Sequence, residues 1–164
     1  MNDRHQLIPV SYVIFLRGDA VLLQRRQRTG YLDGHWATAA AGHVEAHETA
    51  LDAACREARE ELGLVISPED LVPLVVMHRQ QGPDEGDAGR VDFFFQCTEW
   101  SGEPRLMEGG KASDLGWFPL GDLPLPLVPH EHQVLSSLRS GSPAIISFGF
   151  PAAQPVMDNE PRAV

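Results

Sequence analysis

The chain has 164 residues, enough for one domain with a proper core. Hydrophobic residues make up 43% and charged residues 22%, a globular balance, and no apolar run reaches the length of a membrane span. A net charge of -10 argues against a broad basic surface for duplex nucleic acid, and the two cysteines, Cys55 and Cys97, form no CxxC pair and read as buried thiols.

The first residues, MNDRHQLIPV, lack the charged start and long apolar stretch of a signal peptide, so a cytoplasmic location without membrane attachment is expected. Two apolar runs, 11–16 and 20–24, flank an Arg-Gly-Asp turn and predict a hairpin. Residues 28–36, RTGYLDGHW, are rich in glycine and polar groups and read as a loop; Trp36 to Ala41 then reads as a short strand of small residues. A helix follows. Its N-cap is Thr49, with Glu48 or His47 as alternative boundaries, and Gly63 ends it as a left-handed residue. Leu51, Ala54, Cys55, Ala58 and Leu62 recur at helical spacing and form its apolar stripe.

Beyond a Ser-Pro-Glu-Asp turn, Leu71 to His78 reads as a strand, Gln80 to Gly89 as a loop, and Arg90 to Thr98 as an aromatic-rich strand. Trp100 to Lys111 is a second loop, Leu115 to Pro119 a short strand, and Pro129 to Arg139 a second helix with Val134, Leu135 and Leu138 on one side. The segment AIISFGF reads either as an extra strand or as an oligomer contact. Strands around a central helix, followed by another helix, suggest a mixed sheet covered on two sides.

The helix from Thr49 to Gly63 carries the chemistry. Glu57, Glu60 and Glu61 lie three or four positions apart, which stacks them on one face. Carboxylates that close repel, and a divalent cation with hard oxygen ligands turns the repulsion into attraction. In an arbitrary helix such a trio is a solvated acidic face; the residues around it decide otherwise. Gly42, five residues, Glu48, seven residues, Arg56-Glu57, Ala58, Arg59, Glu60-Glu61, Leu62, Gly63, Leu64 resembles the Nudix box. Seven identities at these spacings arise by chance on the order of 10⁻⁸ per start position. Three positions depart from the pattern: Ala58 is smaller than the usual aliphatic residue, Ala41 stands where a second glycine is common, and His47 replaces a common loop glycine.

The resemblance implies an α/β fold, the Nudix α/β/α sandwich with a mixed β-sheet, over residues 8–140, with 141–164 a C-terminal tail that is partly disordered or adds an edge strand. It implies a hydrolase of diphosphate linkages in nucleoside-diphosphate-linked substrates, using Mg²⁺ or Mn²⁺. Glu57, Glu60, Glu61 and the Ala41 carbonyl are then the metal ligands. One of the three glutamates, or Glu108 from a later loop, orients or deprotonates the attacking water. Gly42, Glu48, Arg56 and Gly63 support the site, with Arg56 pairing to the box carboxylates. Arg25, Arg26, Trp36, His78, Arg79 and Lys111, the chain's only lysine, are candidate substrate contacts.

Signatures of other Nudix subgroups are missing. No proline stands about fifteen residues after the box, as in ADP-ribose hydrolases, and no tyrosine, as in dinucleoside polyphosphate hydrolases. The remaining expectation is a MutT-like enzyme that cleaves a nucleoside triphosphate to monophosphate and diphosphate. Hydrolysis of nucleotide sugars or ADP-ribose-type conjugates, and a non-catalytic nucleotide-binding module, stand as alternatives. The partner is a small nucleotide, and a homodimer is left open.

Overall fold

Alternating apolar residues in the first strand decide the layering. In the computed structural model, which describes residues 5–80, 89–107 and 109–151, strand β1 runs from Leu7 to Arg17. Val13 and Phe15 face one hydrophobic cluster, while Val10, Tyr12, Ile14 and Leu16 face another. Successive strand side chains point to opposite faces, so β1 separates two cores. Helix α1 (Ala50–Leu62) fills the first with Ala54, Ala58 and Leu62, and helix α2 (Pro129–Ser137) fills the second with Val134 and Leu135. The result is the expected α/β/α sandwich.

The sheet is mixed. Its main path is β3 (Trp36–Thr38), β2 (Ala20–Arg26), β1, β6 (Gly89–Cys97), β5 (Leu71–Arg79) and β8 (Ile145–Phe148), with β4 (Ala40–His43) on β1 and β7 (Ala112–Pro119) on β2. β1 runs parallel to β6 from Leu7↔Gly89 to Phe15↔Cys97, and β5 runs parallel to β8. The other pairings are antiparallel. On one edge β1 pairs β4 through Val10–Val13, then β2 only at Leu16 and Arg17. That change of neighbour opens a cleft beside β1.

Local sequence explains the ends of α1. Thr49 and Asp52 exchange side-chain-to-backbone hydrogen bonds, each 3.1 Å, so two N-terminal amides are satisfied. At the other end Gly63 adopts φ 69°, and the amides of Gly63 and Leu64 bond to the carbonyls of Arg59 and Ala58. The apolar stripe differs in detail from the sequence reading. Ala53 is fully buried, whereas Leu51 and Cys55 are half-buried at the margin of the cluster. Ala58 is fully buried too, in the same cluster as Ala40 of β4 and Ala39 just before it. Small residues on both sides let the helix lie close to the strands, which is why an alanine serves where a larger aliphatic is usual.

Of the two thiols, Cys97 is buried and Cys55 half-buried. Burial pushes the Cys97 thiol up to about 11 and raises that of Cys55, so both stay protonated. Among the described residues no helix is long and apolar enough to cross a membrane. Glu108, residues 81–88 of the loop between β5 and β6, and residues 152–164 lie outside the described residues.

Candidate active site

Gly42 of β4 lies directly against the Glu57 side chain of α1. A Cβ at this position would overlap the Glu57 carboxylate, so only glycine leaves room for that acid against the strand. Arg56 organises the surrounding charges. Its Nη2 donates to Glu48 Oε1 at 2.7 Å and to the His43 carbonyl at 2.9 Å, and its Nη1 donates to Glu57 at 2.6 Å and to Glu60 at 3.2 Å. Hydrogen bonding to Glu48 first, then to Glu57, raises the Arg56 guanidinium further above its already high range, and the Arg56 bond holds Glu48 below the usual carboxylate range. Glu61 Oε2 accepts the Ala41 amide at 2.9 Å, which ties the last turn of α1 to β4.

The donor set suits a hard divalent cation: carboxylates of Glu57, Glu60 and Glu61 and the peptide oxygens of β4. A carboxylate has two oxygens and about four lone pairs, so the bonds from Arg56 do not exhaust Glu57 or Glu60. Among the described residues no three acidic, imidazole or thiol groups converge as a ready cage. Arg56 instead holds Glu48, Glu57 and Glu60 in one ion-pair network, beside Gly42 of β4.

Glu61, Ala41 and Gly42 also border a cavity of about 450 Å³, a size typical of small-molecule sites. Arg26, Arg79, Arg90 and Lys111 line it as well. Arg26 is braced by its own loop, donating to the Tyr31 carbonyl and the Thr29 hydroxyl, both at 3.0 Å, with the Tyr31 ring beneath it. Arg79 is buried and forms a bidentate pair with Asp92, at 2.7 and 3.4 Å. Burial pushes the Asp92 carboxyl up and Arg79 pulls it partly back. Arg90 Nη1 lies 2.8 Å from His43 Nε2. Burial and then the Arg90 charge lower the His43 pKa, so its imidazole is neutral and accepts from Arg90.

Tyr12, Thr38, His130 and Glu131 add buried polar groups to the lining. Tyr12 OH and His130 Nε2 are 3.1 Å apart, and the Glu131 carboxylate accepts the Thr38 amide. Burial lowers the His130 pKa to about 3, which keeps the ring neutral, and burial raises the Glu131 carboxyl to about 7.

Of the substrate contacts expected from sequence, Arg26, Arg79 and Lys111 line this cavity. Arg25, Trp36 and His78 do not. Arg25 donates to the Gly34 carbonyl, Trp36 packs edge-on against Phe118 at 4.6 Å, and His78 packs against Phe150 at 4.7 Å. Arg25 and Arg26 alternate across β2, so only one of them can reach the cleft. The sequence reading missed Tyr12, Thr38, His43, Arg90, His130 and Glu131. Glu131 carried a signal: it lies three and four positions before Val134 and Leu135, on the apolar side of α2, where an unpaired acid is out of place.

The NUDIX domain profile matches residues 7–138. Mouse (Mus musculus) 8-oxo-dGDP phosphatase NUDT18 is 27% identical over 130 residues, covering 78% of this chain but 37% of that protein, so the chain spans a little over a third of this curated relative. The crystal structure of a MutT NUDIX hydrolase from Burkholderia pseudomallei superposes with a TM-score of 0.73 at 29% identity, covering 82% of this chain and 99% of that one. The Escherichia coli ORF135 protein shares the fold, with a TM-score of 0.67 at 22% identity over 83% of this chain and 91% of that one. A family match over residues 7–138, with every box residue present in the sequence, makes this protein a member of the Nudix hydrolase family.

Proposed function

We propose that the protein is a divalent-cation-dependent pyrophosphohydrolase that converts a nucleoside triphosphate to its monophosphate and diphosphate. The observation that carries this reading is the single cavity in which Glu61, Ala41 and Gly42 stand with Arg26, Arg79, Arg90 and Lys111. A polyphosphate needs its charge matched along its length, and four cations beside a carboxylate-bearing helix supply that. Glu57, Glu60, Glu61 and the Ala41 carbonyl are the residues that would hold Mg²⁺ or Mn²⁺. When bound, the cation neutralises phosphate charge and acidifies water.

The chain's own residues do the rest. Arg90, braced by His43, lines the cavity as a guanidinium donor suited to phosphate oxygens, while Arg79 commits its Nε and Nη2 to Asp92 and forms a buried wall of the same cavity. Arg56 keeps Glu57 and Glu60 together, placed to orient the attacking water and take its proton. Glu108 is retained as a further candidate for that base. The relatives' substrates widen the candidates to nucleoside diphosphates such as 8-oxo-dGDP.

The test is a panel of nucleoside tri- and diphosphates, nucleotide sugars and ADP-ribose, with Mg²⁺ or Mn²⁺, scored for phosphate, diphosphate and monophosphate products. Diphosphate release from a triphosphate, abolished by chelation, is expected. Paired monophosphates from nucleotide sugars alone would replace this reading with the conjugate-hydrolase one. Tight nucleotide binding without turnover of any compound would replace it with a binding module.

A further inference from the structure

Resting on the polyphosphate reading of the cavity, we propose that Asp33 is a positioning residue, which aims Arg26 at the substrate's phosphates through Thr29. Asp33 is exposed and stands outside the cavity, whereas Arg26, Thr29 and Tyr31 line it. The loop between β2 and β3 is built around the Asp33 carboxylate. Oδ1 accepts the Thr29 amide at 3.0 Å and the Thr29 hydroxyl at 2.6 Å, and Oδ2 accepts the Gly30 amide at 3.4 Å. An ionised carboxylate can take several donors at once, so one side chain closes the loop on itself.

The loop needs such a fastening. Arg28 adopts φ 53° and Leu32 φ 47°, left-handed backbone at two residues that carry side chains. Conformations of this kind persist only where surrounding bonds fix them. The three bonds to Asp33 span the stretch between those two residues.

Thr29 is the relay. Its hydroxyl has one proton and two lone pairs. The proton goes to the charged Asp33 oxygen at 2.6 Å rather than to the neutral Tyr31 carbonyl at 3.0 Å. Both lone pairs are then left to accept, and they meet Arg26 Nη2 at 3.0 Å and the Tyr31 amide at 3.3 Å. The Tyr31 carbonyl takes Arg26 Nε at 3.0 Å, and the Tyr31 ring lies under the guanidinium at 5.5 Å.

Two of the five Arg26 N–H groups are committed to the loop in this way, which leaves three for a ligand. The charge is felt inside the cavity, since it lowers the pKa of both His130 and Glu131 on its lining. Without Asp33 the Thr29 hydroxyl is free to turn its proton to the Tyr31 carbonyl, where it competes with Arg26 Nε. The guanidinium then loses two fixed partners, and a substrate must order it on binding.

The experiment measures binding of inorganic triphosphate, with Mg²⁺, to the full chain by titration calorimetry, beside turnover of ATP, GTP, CTP and UTP. It compares the wild type with Asp33→Ala, Arg26→Ala, the double variant, Thr29→Val and Thr29→Ser, each checked for folding by thermal melting. Removing an exposed anion favours a polyanion by charge alone, so weaker binding in Asp33→Ala has the opposite sign and reports lost positioning. Asp33→Ala and Thr29→Val should each weaken triphosphate binding by about tenfold, and Thr29→Ser should keep it. Asp33→Ala should have no further effect once Arg26 is alanine. For any nucleotide that turns over, KM should rise in Asp33→Ala with kcat within about twofold of wild type. Unchanged affinity in Asp33→Ala, an equal loss with and without Arg26, or no triphosphate binding by the wild type overturns the proposal. Coupled triphosphate binding without turnover of any nucleotide would sink the proposed reaction and keep the role of Asp33. Turnover with a KM indifferent to Asp33→Ala would do the reverse.

Discussion

The backbone amide of Ala41 donates to the Glu61 carboxylate at 2.9 Å, joining the last turn of α1 to the strand that borders the cavity. Glu61 is therefore both a fastener and a charge, and the two roles can be separated. In Glu61→Gln the amide oxygen still accepts from Ala41, so the melting temperature should stay within a few degrees of wild type. The charge is lost, and kcat should fall by about 100- to 10,000-fold, the range for loss of a general base or of an equivalent carboxylate. Steady-state kinetics beside a thermal melt checks this; full activity in the variant would remove Glu61 from the reaction.

Gly42 makes a sharper geometric test. An added methyl collides with the Glu57 carboxylate rather than with the core. Gly42→Ala should leave the fold in place and push Glu57 aside, lowering kcat/KM by about 100-fold, as displacement by an ångström does elsewhere. An unchanged kcat/KM would mean that the position of Glu57 does not matter.

Stability should report the buried acid on α2. Burial raises Glu131 from its ordinary value of 4.5 to about 7 in the folded protein. The unfolded chain therefore releases this proton first. Below about pH 4.5 Glu131 costs nothing. As pH rises from there through 7 the native state is penalised progressively, by about 3 kcal/mol in total. The anions of Asp33, Glu48 and Asp52, held low by their hydrogen bonds, act in the other direction, losing stability as pH falls. Comparing wild type with Glu131→Gln by denaturant unfolding at pH 5 and pH 8 isolates the Glu131 contribution. The variant should gain on the wild type at the higher pH, and a difference that does not change with pH would place the carboxyl's titration elsewhere.

His47 adopts φ 72°, a left-handed conformation at the loop position where a glycine is common. A side chain there costs about 1–2 kcal/mol, and glycine's extra freedom in the unfolded chain returns about half of that. His47→Gly should stabilise the protein by about 0.5–1 kcal/mol, a rise of about 1–4 °C in melting temperature. A drop in melting temperature would show that the imidazole makes contacts worth more than the strain.

Much of the chemistry was legible because it is local. The capping residues Thr49 and Gly63 and the acid spacing of α1 depend on neighbours within one helix, and sequence distance reports them directly. The cavity is not local. Arg90 reaches it because β6 lies parallel to β1, a pairing that no turn signal announces. His130 meets Tyr12 across 118 positions of sequence. His78 and Arg79 looked equivalent as neighbours on one strand, yet alternation sends one toward Phe150 and the other into the cavity. Glu131 is the instructive miss. A helix read only for its apolar stripe hides an acid placed on that same stripe.

The partner change along β1 has a consequence for how the molecule is made. β1 is synthesised well before its long parallel neighbour β6, and His130 arrives later still. The β1–β2 hairpin and α1 can form early, because their contacts are short in sequence. The cavity cannot, since its walls are closed only when β6 and α2 dock on a strand made long before. Non-local pairings of this kind slow folding and leave apolar edges exposed meanwhile. Mutations in Val13, Phe15 or Phe95 should then act on refolding yield as strongly as on final stability, because those side chains pack where the early and late halves of the chain first meet.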